Sequence, residues 1–223
     1  MANDNTTLIR QRESALASNS VLRNTYLLLS LTLLFSALTA SLAMFSAAPP
    51  LNPFVTLIGY FALLFATTRL RNSAWGLVSI FALTGFMGYT LGPILSFYMH
   101  NVANGHQVVL TCLATTGVIF LALSMVAVIS KKDFSFMSGF LTIGILVAFF
   151  MSLASLLFHM PAGMLAASAM FVFLCSGIIL YKTSQIIHGG ETNYIMATID
   201  LYVSLYNIFL SLLTLFGGGS NRD

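Results

Sequence analysis

The stretch Tyr194-Ile-Met-Ala-Thr-Ile-Asp200-Leu-Tyr-Val-Ser204-Leu-Tyr-Asn207-Ile-Phe-Leu-Ser211-Leu-Leu-Thr-Leu-Phe216 decides the fold. It is long enough to cross a bilayer core, which takes about 20 apolar residues in a helix. Asp200, Ser204, Asn207 and Ser211 recur at i, i+4, i+7 and i+11, the spacing of one helix face. In lipid a polar stripe has to face protein or trapped water. An aspartate turned to the hydrocarbon costs roughly 2.5–3.5 kcal/mol on insertion scales. The stripe therefore places this helix inside a bundle, with other helices around it.

The rest of the chain supplies those helices. Of 223 residues, 58% are apolar and only 7% charged, against about 25% charged in a soluble domain. Mean hydropathy is +0.92. That is too little charge to coat a water-facing surface, and it excludes a cytosolic enzyme, a secreted domain and a disordered chain. Membrane lipid is the main solvent. Six further apolar runs precede the last one: Asn24–Ser46, Leu51–Thr68, Ala74–Tyr98, Gln107–Ile129, Phe134–Phe158 and Pro161–Tyr181. The expected class is an all-α membrane protein of seven spans. The second run is the weakest, short and preceded by Pro49, Pro50 and Pro53. Short turns join the runs at Arg71–Ser73, Asn101–Gly105, Lys131–Asp133 and His188–Gly190. Three parts result: a polar, mobile tail over 1–23, the helical domain over 24–216, and a short tail over 217–223. The first run is too long for a signal-peptide core of about 7–15 residues, so it reads as a retained anchor.

Orientation follows from lysine and arginine. With the N-terminus cytoplasmic, eight of the nine fall on the inner side: Arg10, Arg12, Arg23, Arg69, Arg71, Lys131, Lys132 and Lys182. The outer side, with the C-terminus, keeps Arg222. These bases sit singly or in pairs at the ends of apolar runs, without the basic stripe that nucleic acid needs. Nucleic-acid binding is not expected. In the third run Gly85, Gly88 and Gly92 contain a GxxxG spacing that suits a close helix crossing, and Pro93 should kink or end regular helix.

Several chemistries lack their residues. His100, His106, His159 and His188 lie near four different helix ends, so no metal site is expected. No serine has a GxSxG context, and Ser138–Gly139 and Ser176–Gly177 lack a second glycine. Asp200 is the one clearly embedded aspartate, where an intramembrane aspartyl protease needs two. Gly217–Gly219 opens no helix and cradles no phosphate. Cys112 and Cys175 lie deep in apolar runs and read as buried small hydrophobes. No catalytic residue and no cofactor is assigned.

Asp200 needs a partner. Lys182 stands at the end of the sixth run, on the same side and across a short loop; a Lys182–Asp200 ion pair competes with snorkelling of Lys182 to the headgroups. Arg69 is the second candidate. Thr192 or Asn193 should cap the last helix. His188, Gly189, Gly190 and Glu191 form the loop before it. Glu191 suits a solvated loop or first helical turn, and His188 either titrates near neutrality or is simply exposed.

Four stretches carry a family resemblance: Val21-Leu-Arg-Asn-Thr-Tyr-Leu-Leu-Leu-Ser-Leu-Thr-Leu33, Thr84-Gly-Phe-Met-Gly-Tyr-Thr-Leu-Gly-Pro-Ile-Leu95, Ile186-Ile-His-Gly-Gly-Glu-Thr-Asn-Tyr194 and Ser204-Leu-Tyr-Asn-Ile-Phe209. The chain resembles the Bax-inhibitor-motif family, and within it the bacterial YccA-like branch. The resemblance implies six helices around a central seventh. It implies an inner-membrane protein that binds the membrane-anchored, ATP-dependent FtsH protease and restrains its action on membrane substrates. The alternative it raises is a pH-sensitive calcium or proton leak, sensed in the wider family by an aspartate pair on the sixth and seventh helices. The matching positions here hold Lys182 and Ser204. A Lys–Asp pair lacks the carboxylate repulsion that makes a shared-proton switch. It also offers no dianionic site to a hard cation.

Overall fold

A computed structural model describes the backbone of residues 2–219 and the side chains of 18–217. The ends of both predicted tails, including Arg222, lie outside the described residues. Seven α-helices follow one another: α1 (Ala2–Phe45), α2 (Pro53–Leu70), α3 (Trp75–Asn101), α4 (Gly105–Ser130), α5 (Ser138–Leu157), α6 (Pro161–Ile187) and α7 (Tyr194–Gly219). A single 3₁₀ turn, Ser135–Met137, leads into α5, and no strand occurs among the described residues. Each helix contains a stretch long and apolar enough to cross a membrane, beginning at Ser18 in α1. The protein is an all-α membrane protein of seven spans.

Local chemistry sets the helix ends. Asn52 caps α2, its Oδ1 accepting from Phe54 N at 2.9 Å, with Pro53 in the first turn, where a missing N–H is harmless. The carboxylate of Asp133 accepts from the Ser135 amide at 2.8 Å and starts the 3₁₀ turn. These hydrogen bonds hold the Asp133 carboxyl below its ordinary range. Gly189, at φ +74°, takes the left-handed conformation that ends α6.

Several helices outrun their sequence expectations, α7 among them, which continues to Gly219 through the start of the expected C-terminal tail. α1 is helical from Ala2, so the segment read as a mobile tail continues the first span as helix. α3 runs through Pro93 to Asn101 without ending there. Proline forfeits one backbone hydrogen bond and leaves the rest of the ladder intact, a loss tolerated in membrane helices. α6 extends six residues past Tyr181. In its polar last turns Lys182 finds a partner on α7, Thr183 on α1 and Ser184 in the α4–α5 turn.

α7 is the most buried span, 56% of its apolar stretch being enclosed, against 6% for α2. It packs along α1, α3, α4 and α6, whereas α2 lies mainly on α3, and α5 on α6. Its direct neighbours are thus four helices of the six. The core it anchors includes Ile199, Tyr202, Ile208 and Leu213 with Leu29, Ile80, Leu83 and Ile179.

The α1–α3 seam depends on small residues. A Cβ added at Gly92 would lie 2.5 Å from Ala43 Cβ and 2.7 Å from the Ala40 carbonyl, and one at Gly88 would run into the Ser36 carbonyl and Thr39. Backbone atoms cannot swing aside, so the two axes approach only because the glycines are there. The GxxxG reading as a close crossing is thereby met. Leucine at Gly88 is expected to destabilise the bundle by about 1–3 kcal/mol, the usual cost of overpacking. Leucine at Gly117, whose Cβ position has nothing within 4 Å, should be neutral. Thermal unfolding of both variants in detergent checks this, and equal melting temperatures would refute the seam.

Candidate functional site

The functional side chains gather at the end of the bundle where α2, α4 and α6 finish and α3, α5 and α7 begin. Two features build the site there: an ion pair within the spans, and a loop that holds two other loops.

Lys182 on α6 and Asp200 on α7 form the ion pair, Nζ to Oδ2 at 2.8 Å. Asp200 lies six residues into α7 and Lys182 five before the end of α6, about 8–9 Å inside the helix ends at 1.5 Å per residue. The side chains are 21% and 29% exposed. Pairing relieves each charge of most of its desolvation cost, and one left alone would keep it. Of the two partners the sequence offers Asp200, the structure chooses Lys182. Arg69 is exposed in the last turn of α2 and is not part of this pair.

The rest of the stripe turns inward on its own helix. Ser204 Oγ donates to the Asp200 carbonyl at 2.7 Å, and the Asn207 amide to the Val203 carbonyl at 2.8 Å. Ser204 and Ser211 are buried. None of these hydroxyl and amide bonds crosses to another helix. The shortest side-chain hydrogen bond between helices comes from a residue outside the stripe. The Tyr202 hydroxyl lies 2.6 Å from Ser36 Oγ and 3.3 Å from the Thr84 carbonyl, joining α7 to α1 and α3. Sequence reasoning missed it because a tyrosine in an apolar run looks like core. The available signal was Tyr202 and Tyr206 one turn apart, two hydroxyls that both need partners in lipid.

The loop between α6 and α7 acts as a clasp. Asn193 uses all four hydrogen-bonding positions of its amide. Its Oδ1 accepts from Ile195 N at 3.0 Å and Met196 N at 3.1 Å, the cap of α7. Its Nδ2 donates to the Arg71 carbonyl at 3.1 Å and to Asn72 Oδ1 at 2.9 Å, fixing the α2–α3 turn. Of the two predicted caps, Asn193 is therefore the one used. Glu191 Oε1 accepts from the Asn193 amide at 2.9 Å, consistent with a loop role.

On the other side His188 bridges two backbones, Nδ1 lying 2.9 Å from the Ser184 carbonyl and Nε2 3.0 Å from that of Lys131. The ring is exposed, as expected of a loop histidine, and it also serves as a structural strut, which the sequence did not indicate. A ring with one N–H satisfies one of these acceptors, and a ring with two satisfies both. Ser184, which the sequence did not single out, donates to the Lys132 carbonyl at 2.9 Å and accepts from Phe134 N at 3.2 Å. One short loop and the end of α6 thus hold the α2–α3 and α4–α5 turns together. Gly190 has only the end of α6 beside it.

Two outcomes test this construction. Lys182→Met and Asp200→Leu should each destabilise the bundle by roughly 1–3 kcal/mol, below the fully buried case because the pair is partly exposed, and the double variant should recover most of it. A double-mutant cycle on detergent unfolding measures this; additive losses would mean the pair contributes nothing. Asn193→Asp keeps the cap acceptor and removes the donor. It should speed amide exchange in the α2–α3 turn while leaving Ile195 protected, whereas Asn193→Ala should expose both and cost about 1 kcal/mol more.

Comparison with known proteins places the chain in a family. Residues 18–222 match the family model described as Inhibitor of apoptosis-promoting Bax1. A Pseudomonas aeruginosa protein described as uncharacterized is 54% identical over 219 residues, covering 98% of this chain and 96% of its own length. The Modulator of FtsH protease YccA of Escherichia coli is 47% identical over 212 residues, 95% of each chain. A Vibrio cholerae membrane protein is 42% identical over 215 residues, again 95% of each. With seven spans and a match over nearly its whole length, the chain belongs to the Bax inhibitor motif family.

Proposed function

We propose that this protein is a non-enzymatic, multi-pass protein of the bacterial inner membrane that binds FtsH and restrains its action on membrane substrates. The supporting observation is the 47% identity to the Escherichia coli modulator of that protease, spread over 95% of both chains. The clasped end carries the lysines and arginines and so faces the cytoplasm by the positive-inside rule, with the C-terminus periplasmic. α1 is 44 residues long, about 66 Å at 1.5 Å per residue. That is roughly twice the ~30 Å hydrocarbon core. Its first part therefore extends beyond the membrane on the cytoplasmic side, where the family resemblance puts the protease's catalytic domain. In this reading the arm makes contact and the clasped loops form a stiff base beneath it.

A leak pathway along α7 has less support. Its stripe is closed by the Lys182–Asp200 pair, and Ser204 and Asn207 are engaged with their own helix. No acidic partner faces Asp200 from position 182 or 204.

The test is the decay of an unassembled membrane substrate of FtsH, followed in membranes with and without this protein at equal protease levels. Slower decay is expected with it present. Removing residues 2–17 should abolish co-purification with the protease while leaving the detergent melting temperature unchanged. Decay at the same rate with and without the protein would refute the reading.

A further inference from the structure

With Asp200 satisfied by Lys182, Arg69 is left without the role its sequence position suggested. It does not stand alone. Arg71, the residue that closes α2, lies beside it, and both line an open cleft of about 380 Å³ with Phe65, Thr68 and Asn72. A second cleft of about 360 Å³ opens on the other side of Arg71 and Asn72, against the start of α7. Neither arginine is in an ion pair, the Lys182–Asp200 bridge being the one found among the described residues. The turn is rigid, because Asn193 holds the Arg71 carbonyl and the Asn72 side chain. Ser73 N also donates to the Leu70 carbonyl at 2.8 Å.

The surface beneath the arginines is apolar. Phe54, Ile58, Phe61 and Phe65 recur at i, i+4, i+7 and i+11 on α2, and all four are exposed on the least buried span of the bundle. This track runs up the helix and ends under Arg69, one turn beyond Phe65. Trp75, the single tryptophan and 66% exposed, stands just past the turn, at the depth where tryptophan marks the lipid–water interface. The other basic pair at this end differs. Lys131 and Lys132 line neither cleft, their carbonyls are held by His188 and Ser184, and Asp133 follows them.

We propose that the α2–α3 turn is a binding site for an anionic membrane phospholipid, its phosphate held by Arg69 and Arg71 and its acyl chain lying along Phe54, Ile58, Phe61 and Phe65. Guanidinium groups suit a phosphate because their fork matches two of its oxygens. Basic pockets at the cytoplasmic ends of spans have the charge and depth that anionic headgroups require. The assignment is independent of the protease reading.

The experiment uses the full chain in neutral detergent and reads its melting temperature on adding short-chain phosphatidylglycerol, short-chain phosphatidylcholine or inorganic phosphate. Phosphatidylglycerol is expected to raise the melting temperature, and the other two are expected to leave it unchanged. R69Q/R71Q should lose most of that rise, while K131Q/K132Q, with the same change of charge at the same end, should keep it. If the arginine pair variant fails to fold, R69Q and R71Q are taken singly, and each should lose part of the rise. The proposal is overturned if phosphatidylglycerol gives no rise, if both double variants lose it equally, or if inorganic phosphate reproduces it.

Discussion

Asp200 is the only acidic residue inside any of the seven spans, and a lone carboxylate there is the costliest group the sequence contains. Its need for a cation fixes how α6 meets α7. Lys182 can reach it only if α6 continues as helix past its apolar stretch and α7 starts after a short turn. Both conditions hold: α6 runs to Ile187, and seven residues after it α7 begins. The pair therefore sets the register of the two helices, and with it the length available to the His188–Asn193 loop. That loop in turn reaches the α2–α3 turn through Asn193 and the α4–α5 turn through His188. One charge requirement thus shapes the whole end of the bundle.

Elsewhere the bundle is held differently. Lipid is as apolar as leucine, so burying more hydrocarbon between helices gains little, and close packing has to supply the attraction. The α1–α3 seam does this with Gly88 and Gly92 set against Ser36, Thr39, Ala40 and Ala43, and Gly85 against the Phe35 ring. Tyr202 adds a polar point where three helices meet, although polar contacts between membrane helices average only about 0.6 kcal/mol. Many such contacts and one close seam are needed to hold what a soluble core would hold by hydrophobicity alone.

The parts legible in the sequence are those that lipid makes expensive. Seven spans, the polar face of α7 and the Lys182–Asp200 pair follow from the cost of polarity in hydrocarbon, and the glycine crossing from the need for close packing in lipid. Where that cost is absent, the sequence says less. The apolar run of α6 stops at Tyr181, where the polar residues Lys182, Thr183, Ser184 and Gln185 begin; Ser184 finds its partners fifty residues away, in a turn the local pattern cannot show. Of the two effects the sequence allows at Pro93, an end of the helix does not occur, because one missing hydrogen bond does not end a helix packed on its neighbours. Asn193 was legible as a cap but not as a clasp, since its second pair of bonds goes to Arg71 and Asn72. Lys182 is the first partner the sequence offers Asp200 and Arg69 the second, and geometry decides between them in favour of Lys182.

The lysine at 182 also bears on what this end of the protein can do. Two facing carboxylates would share a proton, and their geometry would change as that proton came and went. A lysine facing an aspartate is satisfied with both groups charged and needs no shared proton to hold the contact. Position 204, where the family resemblance would put the second acid, is a serine bonded to the carbonyl one turn back. The contact between α6 and α7 is thus better suited to holding than to switching. Because the clasp ties the α2–α3 and α4–α5 turns to that closed contact, the three loops form one braced platform at this end of the bundle. A binding protein has use for such a platform: a partner meeting a preorganised surface loses less conformational entropy than one that must order it.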